Sequence, residues 1–315
     1  MSRTVKAAVV QAGSFVFDTP RTLEKLADLA AQAQAEGAGL AVFPEAFLGG
    51  YPKGHDFGAQ VGSRTPEGRE VFQRYLEAGI AVPGPETARI GEIAKETGLD
   101  IVVGVMERAE GGRGGTLYCT ALTFARDGRL LGKRRKLMPT AMERLVWGQG
   151  DGSTLDVHDA PSGRIATVIC WENYMPLLRV SQYTQGVELY CAPTVDDREN
   201  WSALMRTIAM EGRCFVLSSC QYLTRCHLPD GWPETAKGTD GSDGALIKGG
   251  SLIVSPFGEV LAGPLWNQEG VITAELDFDL IARGKFDFDV TGHYSRPDVF
   301  ELQIDRRAKT GLGEA

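Results

Sequence analysis

Read for hydrophobic and polar positions, the chain alternates short apolar runs with amphipathic stretches from end to end. Residues 6–11, with the apolar run Ala7-Ala8-Val9-Val10 inside them, read as a strand. Thr19-Pro20 then supplies an N-cap and a first-turn proline, and Leu23, Leu26, Ala27 and Ala30 repeat at helical spacing before Gly37 closes the segment. Residues 40–43 are the next strand and deliver Pro44-Glu45 at its end. A second helix is expected over residues 86–97, with Ile90, Ile93, Ala94 and Thr97 on one side, followed by a strand over residues 101–105.

The same rhythm continues downstream. Residues 121–125 and 129–132 flank Arg126-Asp127-Gly128, a hairpin-turn signal. Strands are expected over residues 164–170, 187–191 and 214–219, helices over 177–185 and 201–211, and a late hairpin over 251–254 and 259–261. No internal repeat and no linker-like change in composition interrupts the pattern, which predicts one layered α/β domain with helices covering sheets on the outside. Two connections, residues 49–85 (part helical) and 223–250, are long for a compact domain, and connections that long tend to be lids or interfaces.

Composition narrows the class. A 315-residue chain with 43% apolar and 23% charged residues is ordinary for a globular protein. The net charge of −8 argues against a nucleic-acid partner, and the basic cluster Lys133-Arg134-Arg135-Lys136 is too short for a binding tail. No apolar stretch approaches the length of a membrane span, and no signal-peptide core follows Met1, so a cytoplasmic location is expected. There the six cysteines would stay reduced; they lack CxxC spacing, the four histidines are scattered, and no metal or organic cofactor is expected.

Three segments end strands or hairpins with a chemically loaded residue: Phe43-Pro44-Glu45, the run from Arg134 through Lys136 to Thr140, and Ile169-Cys170-Trp171-Glu172-Asn173. The carboxyl end of a strand is where α/β sheets bind ligands. Taken singly, each has a plain explanation: a packed thiol, a solvated glutamate, a surface lysine. Taken together they fit one chemistry. A carboxylate takes the thiol proton, a lysine favours the thiolate and then the anionic charge on the attacked centre, and the carboxylate later serves water. A Cys–His dyad is the competing reading, but none of the four histidines follows a strand in a comparable context.

These segments resemble the nitrilase superfamily, and the resemblance runs from Ala7-Ala8-Val9-Val10-Gln11 to Gly292-His293-Tyr294. It implies a single-domain, four-layer α-β-β-α sandwich spanning residues 1–300 with a short tail over 301–315, a Glu–Lys–Cys triad and no cofactor. Pro139-Thr140-Ala141-Met142-Glu143-Arg144, Trp147-Gly148-Gln149-Gly150-Asp151-Gly152-Ser153, Cys170-Trp171-Glu172-Asn173 and Gly292-His293-Tyr294-Ser295-Arg296-Pro297-Asp298 resemble the true nitrilase branch. Ala192-Pro193-Thr194 with Trp201, and residues 43–54, look closest to plant and bacterial enzymes acting on arylacetonitriles and related substrates. The resemblance makes Cys170 the nucleophile, Lys136 the oxyanion-stabilising cation and Glu45 the general base, with Glu143 beside them to position the lysine or substrate. A helix-surface or ion-pair role is the alternative for Glu143. Trp171 would shape the pocket and offer its backbone N–H, with Tyr51, Trp147 and Thr194 as further wall residues; aromatics at such positions are also common in cores.

The implied reaction is hydrolysis of a small nitrile, arylaliphatic or aliphatic, to its acid and ammonia through a thioimidate and an acyl-thioester. An amidase, an N-carbamoyl hydrolase or a cyanide-converting enzyme would use the same triad, and a catalytically dead binding module is the alternative from another class. The resemblance also implies a homodimer or larger homo-oligomer, with no nucleic-acid or membrane partner; the short tail counts against long filaments. The remaining five cysteines read as packing residues.

Overall fold

A computed structural model describes residues 3–109 and 114–309 of the chain; residues 310–315 of the expected tail lie outside them. In chain order the strands are β1 (Thr4–Gln11), β2 (Leu40–Val42), a small hairpin of β3 (Ala59–Gln60) and β4 (Ser63–Arg64), β5 (Asp100–Arg108), β6 (Leu117–Phe124), β7 (Leu130–Arg135), β8 (His158–Ala160), β9 (Gly163–Thr167), β10 (Leu189–Thr194), β11 (Phe215–Cys220), β12 (Tyr222–Leu223), β13 (Ile247–Val254), β14 (Val260–Trp266) and β15 (Gly270–Asp277). The helices are α1 (Thr19–Ala35), α2 (Pro66–Ala78), α3 (Pro85–Thr97), α4 (Pro176–Tyr183), α5 (Glu199–Gly212) and α6 (Asp279–Asp287).

Two sheets stack face to face. One runs β15-β1-β2-β5-β6-β7; the other runs β12-β13-β11-β10-β9-β8, with β14 paired to β13. Alternation along each strand assigns the faces. Ala7 and Val9 of β1 meet Leu189 and Cys191 of β10 and Phe215 and Leu217 of β11 between the sheets. Ala8 and Val10 point the other way, into a core with Leu26, Ala30 and Ala33 of α1 and Ile90, Ile93 and Ala94 of α3. On the far side Tyr190, Ala192 and Val216 pack against Leu178 of α4 and Trp201, Met205 and Ile208 of α5. Helices on the two outer faces of two stacked sheets make the four-layer α-β-β-α sandwich.

The boundaries differ from the sequence reading in ways that bear on the site. Asp18 caps α1 by accepting from the Arg21 amide at 3.1 Å, displacing Thr19 from that role. The strand expected over residues 164–170 ends at Thr167, and Cys170 opens a 3-10 turn running to Tyr174. The strand expected over 187–191 is Leu189–Thr194, which carries Thr194 to the same edge. β15 and α6 have no counterpart in the sequence pattern; β15 pairs antiparallel along all of β1. Residues 301–309 lie against the body, with the Lys309 amide donating to Asp151 at 2.6 Å and Arg306 paired with Asp156 at 2.6 Å. No helix among the described residues is long and apolar enough to cross a membrane.

Candidate active site

Strand direction gathers the candidate residues. β2 runs parallel to β5, and β5-β6-β7 is an antiparallel meander, so β2 and β7 finish at the same edge. β9, β10 and β11 are mutually parallel and finish opposite them across the sheet–sheet interface. Glu45 follows β2, Lys136 follows β7, Cys170 follows β9 and Thr194 ends β10. The turn carrying Glu45 is hydrogen-bonded onto β5 through Gly104, whose amide donates to the Pro44 carbonyl at 3.1 Å. A Cβ at Gly104 would lie 2.3 Å from that carbonyl oxygen, so only glycine lets the turn approach. Ala46, immediately after Glu45, and Cys170 itself sit at φ near +50°. Such backbone persists where the surrounding structure over-determines it, as at sites that need a side chain aimed.

Glu45 and Lys136 are fully buried. The Lys136 ammonium donates to Glu45 Oε1 at 2.7 Å and to Glu143 Oε2 at 2.8 Å, so one cation bridges two carboxylates. A buried lone carboxylate or ammonium would cost several kcal/mol, and this pairing offsets that cost. The Thr140 amide also donates to Glu143 Oε2, and the Tyr51 hydroxyl donates to Glu143 Oε1 at 3.0 Å. The Lys136 ammonium sits 5.3 Å from the Trp147 ring centroid, and the Trp147 indole N–H donates to the Tyr75 hydroxyl at 3.0 Å. The Thr194 hydroxyl donates to Cys170 Sγ at 3.2 Å.

Charge balance in this cluster is uneven. Burial would lower the Lys136 pKa, but Glu45, Cys170 and Glu143 outweigh it and hold the ammonium well above its ordinary value. Burial raises Glu45, Lys136 opposes the rise, and Glu143 adds to it. Burial also drives the Cys170 thiol well above the usual thiol range, reinforced by Glu45; Lys136 and the Thr194 hydroxyl pull the other way. Burial and Glu45 therefore favour the protonated thiol over the thiolate that Lys136 favours, and the carboxylate that takes the thiol proton in the sequence reading stands close by. Ionisation of Cys170 has to be coupled to a proton acceptor.

A cavity of about 240 Å³ opens onto Cys170, lined also by Tyr51, Lys53, Glu143, Trp171 and Thr239. Tyr51 and Lys53 come from one of the two long connections and Thr239 from the other. These connections clasp each other: Lys53 donates to Thr239 at 3.0 Å, and the Trp232 indole donates to the Lys53 carbonyl at 3.0 Å. Trp171 stands at the cavity wall, 42% exposed, its indole N–H donating to Asp196 at 2.9 Å while the Arg198 guanidinium stacks 4.7 Å from its ring. Trp147 and Thr194 do not line this cavity: Trp147 backs Lys136 and Thr194 backs Cys170. A larger groove of about 530 Å³ lies among the start of α1, the end of α2 and the start of α3, away from these groups. Among the described residues, no cluster of His, Cys, Asp and Glu side chains could hold a metal ion.

The structure adds residues that the sequence pattern does not single out. Glu172, buried, accepts from Arg134 at 2.9 Å and the Leu137 amide at 2.6 Å through Oε1, and from the Ile169 amide at 3.2 Å through Oε2. It ties the Lys136 segment of one sheet to the Cys170 turn of the other. The basic cluster of residues 133–136 thus faces inward: Lys133 and Arg135 pair with buried Glu107, and Arg134 and Lys136 with the carboxylates already named. Gln221 donates to the Glu45 carbonyl at 2.8 Å. Of the five cysteines read as packing residues, Cys119 donates to Glu45 Oε1 at 3.5 Å and Cys226 is exposed. The alternation of β6 puts Cys119 on the inner face; only the tertiary pairing puts the glutamate opposite it.

Residues 6–286 match the carbon–nitrogen hydrolase family. The chain is 55% identical over 307 residues to an aliphatic nitrilase of Sinorhizobium fredii, covering 98% of this chain and 97% of that one. It is 53% identical over 317 residues to an arylacetonitrilase of Trametes versicolor, covering 96% and 98%. Among solved structures it superposes on the C. elegans NitFhit protein with a TM-score of 0.74 at 18% identity, over 98% of this chain and 69% of that chain.

Proposed function

The chain belongs to the carbon–nitrogen hydrolase family, and on that footing we propose that it is a nitrilase, converting a small organic nitrile and two waters to a carboxylic acid and ammonia. The observation that carries the reading is the buried Glu45–Lys136–Glu143 chain beside Cys170, at the cavity that reaches the thiol. High identity to proteins named aliphatic nitrilase and arylacetonitrilase favours a nitrile over an amide as substrate.

In this reading the substrate enters beside Trp171 and places its nitrile carbon over Cys170. Sγ bonds to that carbon while the thiol proton passes through Glu45 to the nitrogen, giving a thioimidate. Lys136, held cationic by its carboxylates, stabilises the negative charge that builds on the nitrogen, with the Trp171 backbone N–H as a second donor. Water then adds to the thioimidate carbon, its proton again relayed by Glu45, and ammonia leaves the resulting tetrahedral adduct to give an acyl-thioester. A second water releases the acid, and the proton returns to Sγ. Glu143 holds Lys136 in place and Tyr51 holds Glu143. Thr194 steadies the sulfur as its charge develops.

Ammonia release from phenylacetonitrile and from phenylacetamide, measured separately, tests the assignment. Faster release from the amide would make the chain an amidase.

The same reading takes residues 1–300 as one catalytic domain in the cytoplasm, where six unpaired cysteines are stable. It also takes the enzyme as a homodimer or larger. Met175 and Leu177 at the start of α4 and Met210 on α5 are exposed apolar side chains on the outer helical layer, which supports pairing through that face. A clean monomer in light scattering would overturn the dimer.

A further inference from the structure

Besides Cys119, the ionisable groups that bear on the Glu45 carboxylate are Lys136 after β7, Glu143 in the turn beyond it, Cys170 after β9, Tyr51 in the long connection, Tyr75 on α2 and Cys220 at the end of β11. The hydrogen bonds to its side chain from Lys136 and Cys119 choose the same oxygen. Oε1 accepts from Lys136 at 2.7 Å and from the Cys119 thiol at 3.5 Å. Oε2 is buried and has no hydrogen-bond partner among the described residues. A thiol is a weak donor, and burial beside Glu45 holds the Cys119 thiol well above its ordinary pKa. It therefore remains a neutral S–H throughout the working pH range, a donor that cannot itself compete for the proton.

We propose that Cys119 is a positioning residue for the reaction: its thiol caps Glu45 Oε1 jointly with Lys136, leaves Oε2 as the atom that receives the Cys170 proton, and by being a weak donor keeps the carboxylate basic. The inference rests on Glu45 acting as the base. A stronger donor at this position would favour the carboxylate form and blunt the base; no donor would make it more basic still.

The test is a pair of substitutions with opposite expected signs. Cys119→Ala removes the donor, and the acid limb of kcat/KM for nitrile hydrolysis moves up by about half a pH unit, the size of a weak hydrogen bond. Cys119→Ser puts a stronger donor in nearly the same volume, and the limb moves to lower pH. The same limb is read independently of turnover from the pH dependence of Cys170 alkylation by iodoacetamide, followed on the Cys170 peptide by mass spectrometry. If nitriles prove not to be substrates but the alkylation limbs split in opposite directions, the nitrilase reading fails and the Cys119 inference stands. If the limbs of the two variants coincide with the parent in both assays, or shift in the same direction, Cys119 only packs and the inference is overturned. Should Cys119→Ala not fold, Cys119→Ser alone decides: a limb unmoved from the parent refutes it.

Discussion

Replacing Glu172 separates holding the fold together from aligning the chemistry. Its carboxylate is buried against the Arg134 guanidinium at 2.9 Å, with Arg134 itself only 4% exposed. Glu172→Ala leaves that guanidinium buried without a counter-charge, which costs about 3–5 kcal/mol. For a chain this large the loss lowers thermal unfolding by about 6–10 °C, at roughly 2 °C per kcal/mol. The same carboxylate also accepts from the Leu137 and Ile169 amides, the residues next to Lys136 and Cys170. A misplacement of about 1 Å between nucleophile and partner costs roughly 100-fold in rate.

The double variant Glu172→Leu with Arg134→Met tells the two effects apart. An apolar pair of similar volume replaces a buried ion pair at little cost, so thermal stability returns toward the parent. Nitrile turnover does not, because the two amides still lack their acceptor and the two sheets lose the tie between their catalytic ends. Unfolding followed by circular dichroism and single-turnover ammonia release measure the two quantities on the same preparations. If turnover recovers together with stability, Glu172 is only a charge partner and the reasoning fails. If Glu172→Ala costs less than about 1 kcal/mol, Arg134 is not desolvated as the buried-pair argument requires.

Cys170→Ala abolishes ammonia release, and a covalent adduct seen by mass spectrometry on the parent with a slow nitrile disappears in the variant. Thr194→Val removes the hydroxyl that donates to Cys170 Sγ, and kcat falls roughly tenfold, since a hydrogen bond to a charged group contributes about 1.5 kcal/mol or more; an unchanged kcat would take Thr194 out of the thiolate's stabilisation. Arg198→Ala releases the stacked Trp171 indole, and KM rises about two- to five-fold in steady-state assays, the worth of an exposed cation–π contact. Burial alone would raise Glu269, but His227, Lys25 and the Gly13 amide hold it down at about 2. Because its folded pKa lies below the ordinary 4.5, its stabilisation is complete above that pH and fades as pH falls toward about 2. The gap in melting temperature between the parent and Glu269→Gln is therefore widest at neutral pH and closes on acidification; a gap independent of pH would contradict this.

The repeating βα rhythm was legible in the amino-acid order alone, and the strand ends to within about three residues. β1, β2 and β5 each carry a continuous apolar stretch whose two faces are both covered, and α1 and α3 carry an apolar stripe at helical spacing. Such patterns are local, so they can be read residue by residue. Glu45, Lys136 and Cys170 fall just past the ends of β2, β7 and β9, and the matching segments around them point to the family. β15 and α6 escape because neither shows a strong pattern: β15 is a half-buried edge strand, and in α6 Gly284 is the one buried residue.

Tertiary structure alone decided what meets what. Glu45 and Lys136 stand 91 residues apart in sequence yet 2.7 Å apart in space. Cys119 reaches Glu45 through the strand order of one sheet, Asp196 reaches Trp171 through that of the other, and Glu172 reaches Arg134 across the two. Such contacts depend on pairings between distant segments, and no local periodicity records them. The thiol's protonation follows from the same stacking. A lysine nearby favours a thiolate, but the depth of burial and the carboxylate beside it outweigh that pull, and both are properties of the assembled site.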